Sequence, residues 1–182
     1  MKEVLLSLLP TRLYLEAVHL ESKLRYSALY RKLQDQRLRV TDSDYSFLPF
    51  DESRSIFVHV PKCAGVSVCR TLYGNLAGGH TALREYTRIF EPARLLEYFK
   101  FTIVRNPWDR LVSAYHFLQG GGFDHRDAEW FESELSRFED FDDFVRGWVN
   151  ATNIWSWHHF RPQHHYMHDP KGRISVDFVV LL

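Results

Sequence analysis

The sequence predicts an α/β fold: a single domain in which helices flank a central, mainly parallel sheet. Three observations carry that expectation. Residues 55–60 (SIFVHV), 99–105 (FKFTIVR) and 174–182 (ISVDFVVLL) each read as a short strand rich in β-branched and aromatic residues. The segments between them carry apolar residues at helical spacing, and strands alternating with helices are the pattern of a parallel sheet. The first two runs are apolar on both faces, as suits a central parallel strand covered on both sides.

Taken in order, residues 12–37 lack Gly and Pro. They place Leu13, Leu15, Val18, Leu20, Leu24, Tyr26, Leu29, Tyr30 and Leu33 at near-helical spacing, so one or two helices are expected. Residues 41–54 are rich in Asp and Ser and read as a connecting loop. Residues 1–50 thus form an N-terminal helical segment and its connection, and residues 51–182 the main domain. After the first strand, residues 65–75 suit a helix that ends near Gly74. After the second, Asn106 suits a helix N-cap and Pro107 the first helical position. Trp108, Leu111, Val112, Tyr115 and Leu118 would form the apolar stripe of that helix, with Arg110 at the surface or in a salt bridge and Ser113 sharing the Asp109 face. The glycines at 120–122 end it. Phe141, Phe144, Val145 and Trp148 mark one more amphipathic helix.

Composition narrows the functional classes. The 182 residues are 45% hydrophobic and 25% charged with formal net charge zero, so no overall field recruits nucleic acid or an anionic membrane. The chain contains two cysteines, Cys63 and Cys69, which make neither a disulfide framework nor a zinc knuckle. A reducing, cytoplasmic setting follows as the expectation. The apolar N-terminal stretch is broken by Pro10 and Arg12, is too short for a membrane span and lacks a clear cleavage site. No feature sets an oligomeric state.

Chemistry concentrates after the first strand, in PKCAGVS, residues 61–67. In open α/β sheets ligands bind beyond the carboxyl ends of strands. Small residues let backbone N–H groups approach a ligand, and the next helix points its positive end at the same place. Lys62 adds a charge and Ser67 a hydroxyl. All are donors, so the expected guest is a phosphate- or sulfate-like anion. The order of residues is not that of the common nucleotide-triphosphate loop, in which the lysine follows the second glycine. The second strand ends at Arg105, whose planar fork, with Ser113 one helix later, could grip another anionic group.

These two segments together, HVPKCAGVS (59–67) and VRNPWDRLVSAY (104–115), resemble the sulfotransferase superfamily, specifically its carbohydrate-type family that includes heparan 2-O-sulfotransferases and bacterial members. The resemblance runs from about residue 55 onward. It implies a P-loop-like nucleotide-binding architecture and a site for 3′-phosphoadenosine 5′-phosphosulfate. Lys62, Cys63, Ala64, Gly65, Val66 and Ser67 would hold the phosphosulfate, and Arg105 and Ser113 the 3′-phosphate. Cys63 and Val66 stand where the family usually has threonines. Lys62 would also neutralise the leaving phosphate oxygen, and His80 would take the proton of a hydroxyl acceptor, most simply on a carbohydrate. Glu85 and His59 are lesser candidates for that base, His59 being expected to be packed and hydrogen-bonded within the strand. Members of the family usually continue past the last strand, so a C-terminally short domain is expected.

The segment 155–172 is dense in histidine, and its Arg161-Pro162-Gln163 matches an element of the family expected beside the pocket. His158, His159, His164, His165 and His168 could in principle hold a metal. No familiar ligand spacing supports it and the implied reaction needs none, so no metal is expected. Trp155, Trp157 and Tyr166 suit core packing better than stacking on a ligand. Two other readings stay open at this point: an ATP-dependent small-molecule kinase with an unusual phosphate loop, and a non-catalytic nucleotide-binding module.

Overall fold

The computed structural model describes residues 8–182; the apolar run up to residue 7 lies outside them. The architecture is α/β, with a three-stranded parallel sheet in the order β1-β2-β3 flanked by helices. β1 (Ser55–Val58) pairs with β2 (Phe99–Val104), Ser55 opposite Phe99, and β2 pairs with β3 (Phe178–Leu181), Phe101 opposite Phe178. β2 therefore lies in the middle, whereas the apolar pattern of residues 55–60 had suggested a central position for β1. Burial explains the pattern all the same: Ile56, Phe57 and Val58 are wholly enclosed by helices and by β2. β3 is exposed along its length.

The N-terminal region forms two helices, α1 (Thr11–Arg25) and α2 (Ser27–Arg37), broken at Tyr26. Their apolar spacing overstates their burial. Leu15 enters the core, while Leu13, Leu20, Leu24 and Leu29 are exposed. Polar contacts complete the docking. The buried Arg37 guanidinium donates to Asp51 and Glu91 and to the Ile89 carbonyl. The loop expected over residues 41–54 ends in a short helix, α3 (Leu48–Ser53), started by Pro49, whose fixed φ suits a first turn. Phe47 and Phe50 are fully buried there, and enclosing rings of this kind contributes about 1.5–3 kcal/mol each.

Helix α4 (Gly65–Tyr73) follows β1 and is closed by Gly74 in the left-handed region. α5 (Pro92–Glu97) leads into β2, and α6 (Pro107–Gln119) out of it. Asn106 caps α6 as expected, its side chain accepting from the Trp108 N–H at 2.9 Å. The buried face of α6 differs from the expected stripe. Trp108 is 74% exposed and Val112 39%, whereas Arg110, Ala114, Tyr115 and Leu118 are buried. This face meets α7 (His125–Glu134) and α8 (Phe141–Gly147) in an aromatic core of Tyr115, Phe144, Trp148 and Phe160, separate from the core around the sheet. A short helix, α9 (His164–Met167), precedes the return to β3. Among the described residues no helix is long and apolar enough to cross a membrane.

Candidate functional site

A cavity of about 510 Å³ opens beyond the carboxyl end of β1. Lys62, Ala64, Gly65, Val66 and Ser67 line it from the loop and the first turn of α4, and His80 from the segment after that helix. The loop is tightly wound: Lys62 and Ala64 both take left-handed backbone angles, φ +66° and +58°. Ala64 takes the N-cap position of α4 without any side-chain bond, so the first N–H groups of the helix are left for a guest. Gly65 is required by contact: a Cβ there would lie 1.9 Å from the His59 ring. His59 is buried beneath the loop, stacked on Phe57. Its ring is packed as expected, but its Nδ1 has no hydrogen-bond partner among the described residues, contrary to the sequence expectation. Burial holds it at a pKa of about 4, so it is neutral.

Lys62 lays its ammonium 3.5 Å from the centre of the Phe117 ring, on α6. Burial lowers its pKa, Asp127 pulls it back and Arg105 lowers it further. His80 has its Nδ1 3.4 Å from the His59 carbonyl oxygen; with the proton on Nδ1, Nε2 keeps a free lone pair. Burial, then His59 and His158, push its pKa well down, so the imidazole is the free base at neutral pH.

The remaining expected residues are placed differently. Cys63 points into the protein: its thiol is buried, donates toward the Gln163 side-chain oxygen at 3.4 Å, and is pushed to higher pKa by burial. Its backbone, not its side chain, belongs to the loop. Arg105 and Ser113 are half-buried and are not in the cavity lining. The main chain of Arg105 is clasped by Gln163, which accepts from its N–H at 3.0 Å and donates to its carbonyl at 2.8 Å. Gln163 thus joins the ends of both strands, which is what the Arg161-Pro162-Gln163 element does here. Trp157 lines the cavity and stacks on Trp130, whereas Tyr166 is core and Trp155 is exposed.

Arg110 corrects another expectation. It is not at the surface, and it makes no salt bridge among the described residues. It is buried and donates to four carbonyls, those of Pro61, His159, Phe160 and Arg161, at 3.4, 2.8, 3.3 and 2.7 Å. One guanidinium fork therefore fixes the start of the lysine loop against the histidine-rich segment. The opposite wall holds residues that the sequence reading did not single out: Tyr45, Phe117, Asp124, Arg126 and Asp127. Asp127 is buried. It accepts from Trp157 Nε1 at 2.9 Å and from the Phe123 N–H at 2.9 Å, and a Cβ at Gly122 would strike it. The glycines at 120–122 were legible as a helix stop; their second task, admitting Asp127, was not.

A second cavity, of about 390 Å³, lies behind His80, which lines both. Arg84, Arg88 and Arg161 contribute to it, with Glu85 and His165. His165 Nε2 lies 3.1 Å from Arg84, and burial together with Arg84 and Arg161 holds its pKa at about 4, so it accepts from the guanidinium.

The arrangement can hold an anion in the first cavity, stabilise negative charge at Lys62, and accept a proton at His80 from a molecule in the second. A family model described as the sulfotransferase family matches residues 45–179, which covers both strand-end segments, His80 and Gln163. Searches of curated proteins and of solved structures returned no match.

Proposed function

The chain belongs to the sulfotransferase family, and we propose that it transfers the sulfuryl group of 3′-phosphoadenosine 5′-phosphosulfate to a hydroxyl of a carbohydrate. The observation that carries this reading is the convergence of Lys62, the N–H groups at the start of α4 and the neutral His80 on one cavity. The donor set is right for the guest: one ammonium, one hydroxyl and exposed backbone N–H groups, all donors, meet a phosphosulfate.

In this reading the backbone of residues 63–67 and Ser67 bind the phosphosulfate. Arg105 and Ser113, at the neighbouring strand end, bind the 3′-phosphate. The acceptor oxygen attacks sulfur in line; the bond from sulfur to the 5′-phosphate oxygen breaks as the new oxygen–sulfur bond forms. Lys62 leaves its resting place on Phe117 to meet the charge that grows on the leaving oxygen. The acceptor proton passes to His80 Nε2. A donor carrying several negative charges beside His80 raises the pKa that burial lowers, which strengthens the base when the donor is bound. The acceptor hydroxyl enters the first cavity past His80 while the rest of the molecule lies in the second, where Arg84, Arg88 and Arg161 outnumber Glu85 and favour a saccharide bearing a negative group. The free thiols Cys63 and Cys69 suit a reducing compartment, and the cytoplasm is the proposed location.

Two measurements test the proposal. 3′-Phosphoadenosine 5′-phosphate at 100 times its Kd stabilises the fold by about 2.7 kcal/mol, while ADP with Mg²⁺ does much less. The reverse ranking favours a kinase and ends the proposal. Transfer of radiolabelled sulfate to a panel of saccharides falls by at least about 100-fold in Lys62→Ala and His80→Ala. Activity unchanged in both variants would refute the assigned roles.

A further inference from the structure

We propose that His80, His158 and His159 form a binding site for a divalent transition-metal ion of the zinc type. The fold brings together what the spacing along the chain did not suggest. His158 and His159 come from the segment before α9, and His80, from the segment after α4, packs its ring against both. One nitrogen from each lies within 4.8 Å of the others. A tetrahedral ion with bonds of about 2.0–2.1 Å needs ligand nitrogens about 3.4 Å apart, so small ring rotations close the site. The rings are already in contact at tilted angles, with centroids 4.0 Å apart for His158 and His159 and 5.3 Å for His80 and His158.

Three further observations point to a ligand. His159 is 4% exposed, yet among the described residues its Nδ1 has no partner and its Nε2 meets only the Asp127 carboxylate, without a well-formed hydrogen bond; a buried imidazole left so is costly unless something supplies the missing bond. His80 directs Nδ1 at the His59 carbonyl oxygen, the outer contact that metal-bound histidines commonly make, and this leaves Nε2 for the ion. Asp127 sets a carboxylate oxygen 3.4 Å from His159 Nε2, which supplies negative charge beside the cluster. It offsets the nearby Lys62 ammonium. Three imidazoles with a fourth position facing a cavity match the zinc sites that keep one coordination place open.

The test uses the whole chain and needs no transfer activity. Co²⁺ added to metal-free protein is expected to give the visible absorption of a tetrahedral site at one equivalent, and Zn²⁺ to displace it. His158→Ala, at a half-buried position, is expected to weaken Co²⁺ and Zn²⁺ binding by at least about 100-fold. His164→Ala/His168→Ala, which removes two histidines outside the cluster, is expected to leave binding intact. Near-ultraviolet circular dichroism checks each variant's fold. His159→Gln gives a second reading, in which Zn²⁺ no longer raises the melting temperature as it does for the wild type. Absence of the cobalt spectrum in the wild type, full affinity in His158→Ala, or loss of binding in His164→Ala/His168→Ala overturns the proposal.

Discussion

Replacing Arg110 by Met keeps a long, unbranched side chain in the same space and removes the fork that four carbonyls share. The two short bonds, 2.8 Å to His159 and 2.7 Å to Arg161, carry most of the effect; those at 3.4 Å to Pro61 and 3.3 Å to Phe160 add little. A buried carbonyl left without a donor costs about 1–3 kcal/mol, so the two short bonds set a range of about 2–6 kcal/mol. Methionine does not have to bury a guanidinium, and burial already lowers the Arg110 pKa; that relief offsets part of the loss. The expected net destabilisation is about 3 kcal/mol. Urea unfolding followed by tryptophan fluorescence measures it, since Trp157 and Trp148 lie in the region that Arg110 anchors. Binding of 3′-phosphoadenosine 5′-phosphate, measured by calorimetry on the folded variant, is expected to weaken about tenfold because the loop before Lys62 loses an anchor. Arg110→Lys, which keeps the charge without the fork, falls between. A midpoint for Arg110→Met within about 1 kcal/mol of the wild type would show that the carbonyls find other donors and that Arg110 does not position the loop.

Gly65→Ala forces a methyl into the His59 ring and is expected to cost about 1–3 kcal/mol by thermal unfolding, with nucleotide affinity reduced in the same variant. Asp51→Ala removes the acceptor shared by Arg37, Arg94 and Tyr98 and leaves the buried Arg37 half-paired; about 3 kcal/mol is expected in urea. Burial opposes ionisation of Asp51, but the bonds from Arg37 and Tyr98 outweigh it and hold its pKa down, so the variant also loses less stability than the wild type as pH falls through that lowered pKa. Acid weakens the fold through His59. Its folded pKa of about 4 lies below the ordinary 6.5, so the unfolded chain binds the proton first; stability is complete above 6.5 and declines toward 4, with about 2 kcal/mol lost near pH 5, measurable as a falling urea midpoint. Zn²⁺ at one equivalent is expected to inhibit sulfuryl transfer by occupying the His80 nitrogen, and a chelator to restore it; inhibition unchanged in His158→Ala would place the effect elsewhere.

What was legible in the sequence was local. β1 announces itself because both of its faces are buried, β2 because it is a short run of aromatic and β-branched residues, and Asn106-Pro107 marks the start of α6 because a cap needs only its own turn. The lysine loop was legible for the same reason: its donors are contiguous. The misread features depend on partners far along the chain. Arg110 reads as a surface or salt-bridged cation because its own turn offers it only Asp109 and solvent; its strongest acceptors are carbonyls about fifty residues on. The apolar stripe of α6 was drawn through Trp108 and Val112 because they are hydrophobic, yet the helix turns Arg110 and Ala114 inward instead. The histidine cluster could not be seen from spacing, since His80 and His159 meet only through the fold.

His80 is the only side chain, among the described residues, that both cavities share. Two cavities that meet at one imidazole have a kinetic consequence. If donor and acceptor arrive by separate mouths, neither has to wait for the other, and steady-state velocities should follow a random-order scheme rather than an obligatory one. Trimming that ring to alanine would widen the passage between the two chambers, giving water a route to the sulfuryl group, so the damage would appear as futile hydrolysis of the donor as well as lost turnover.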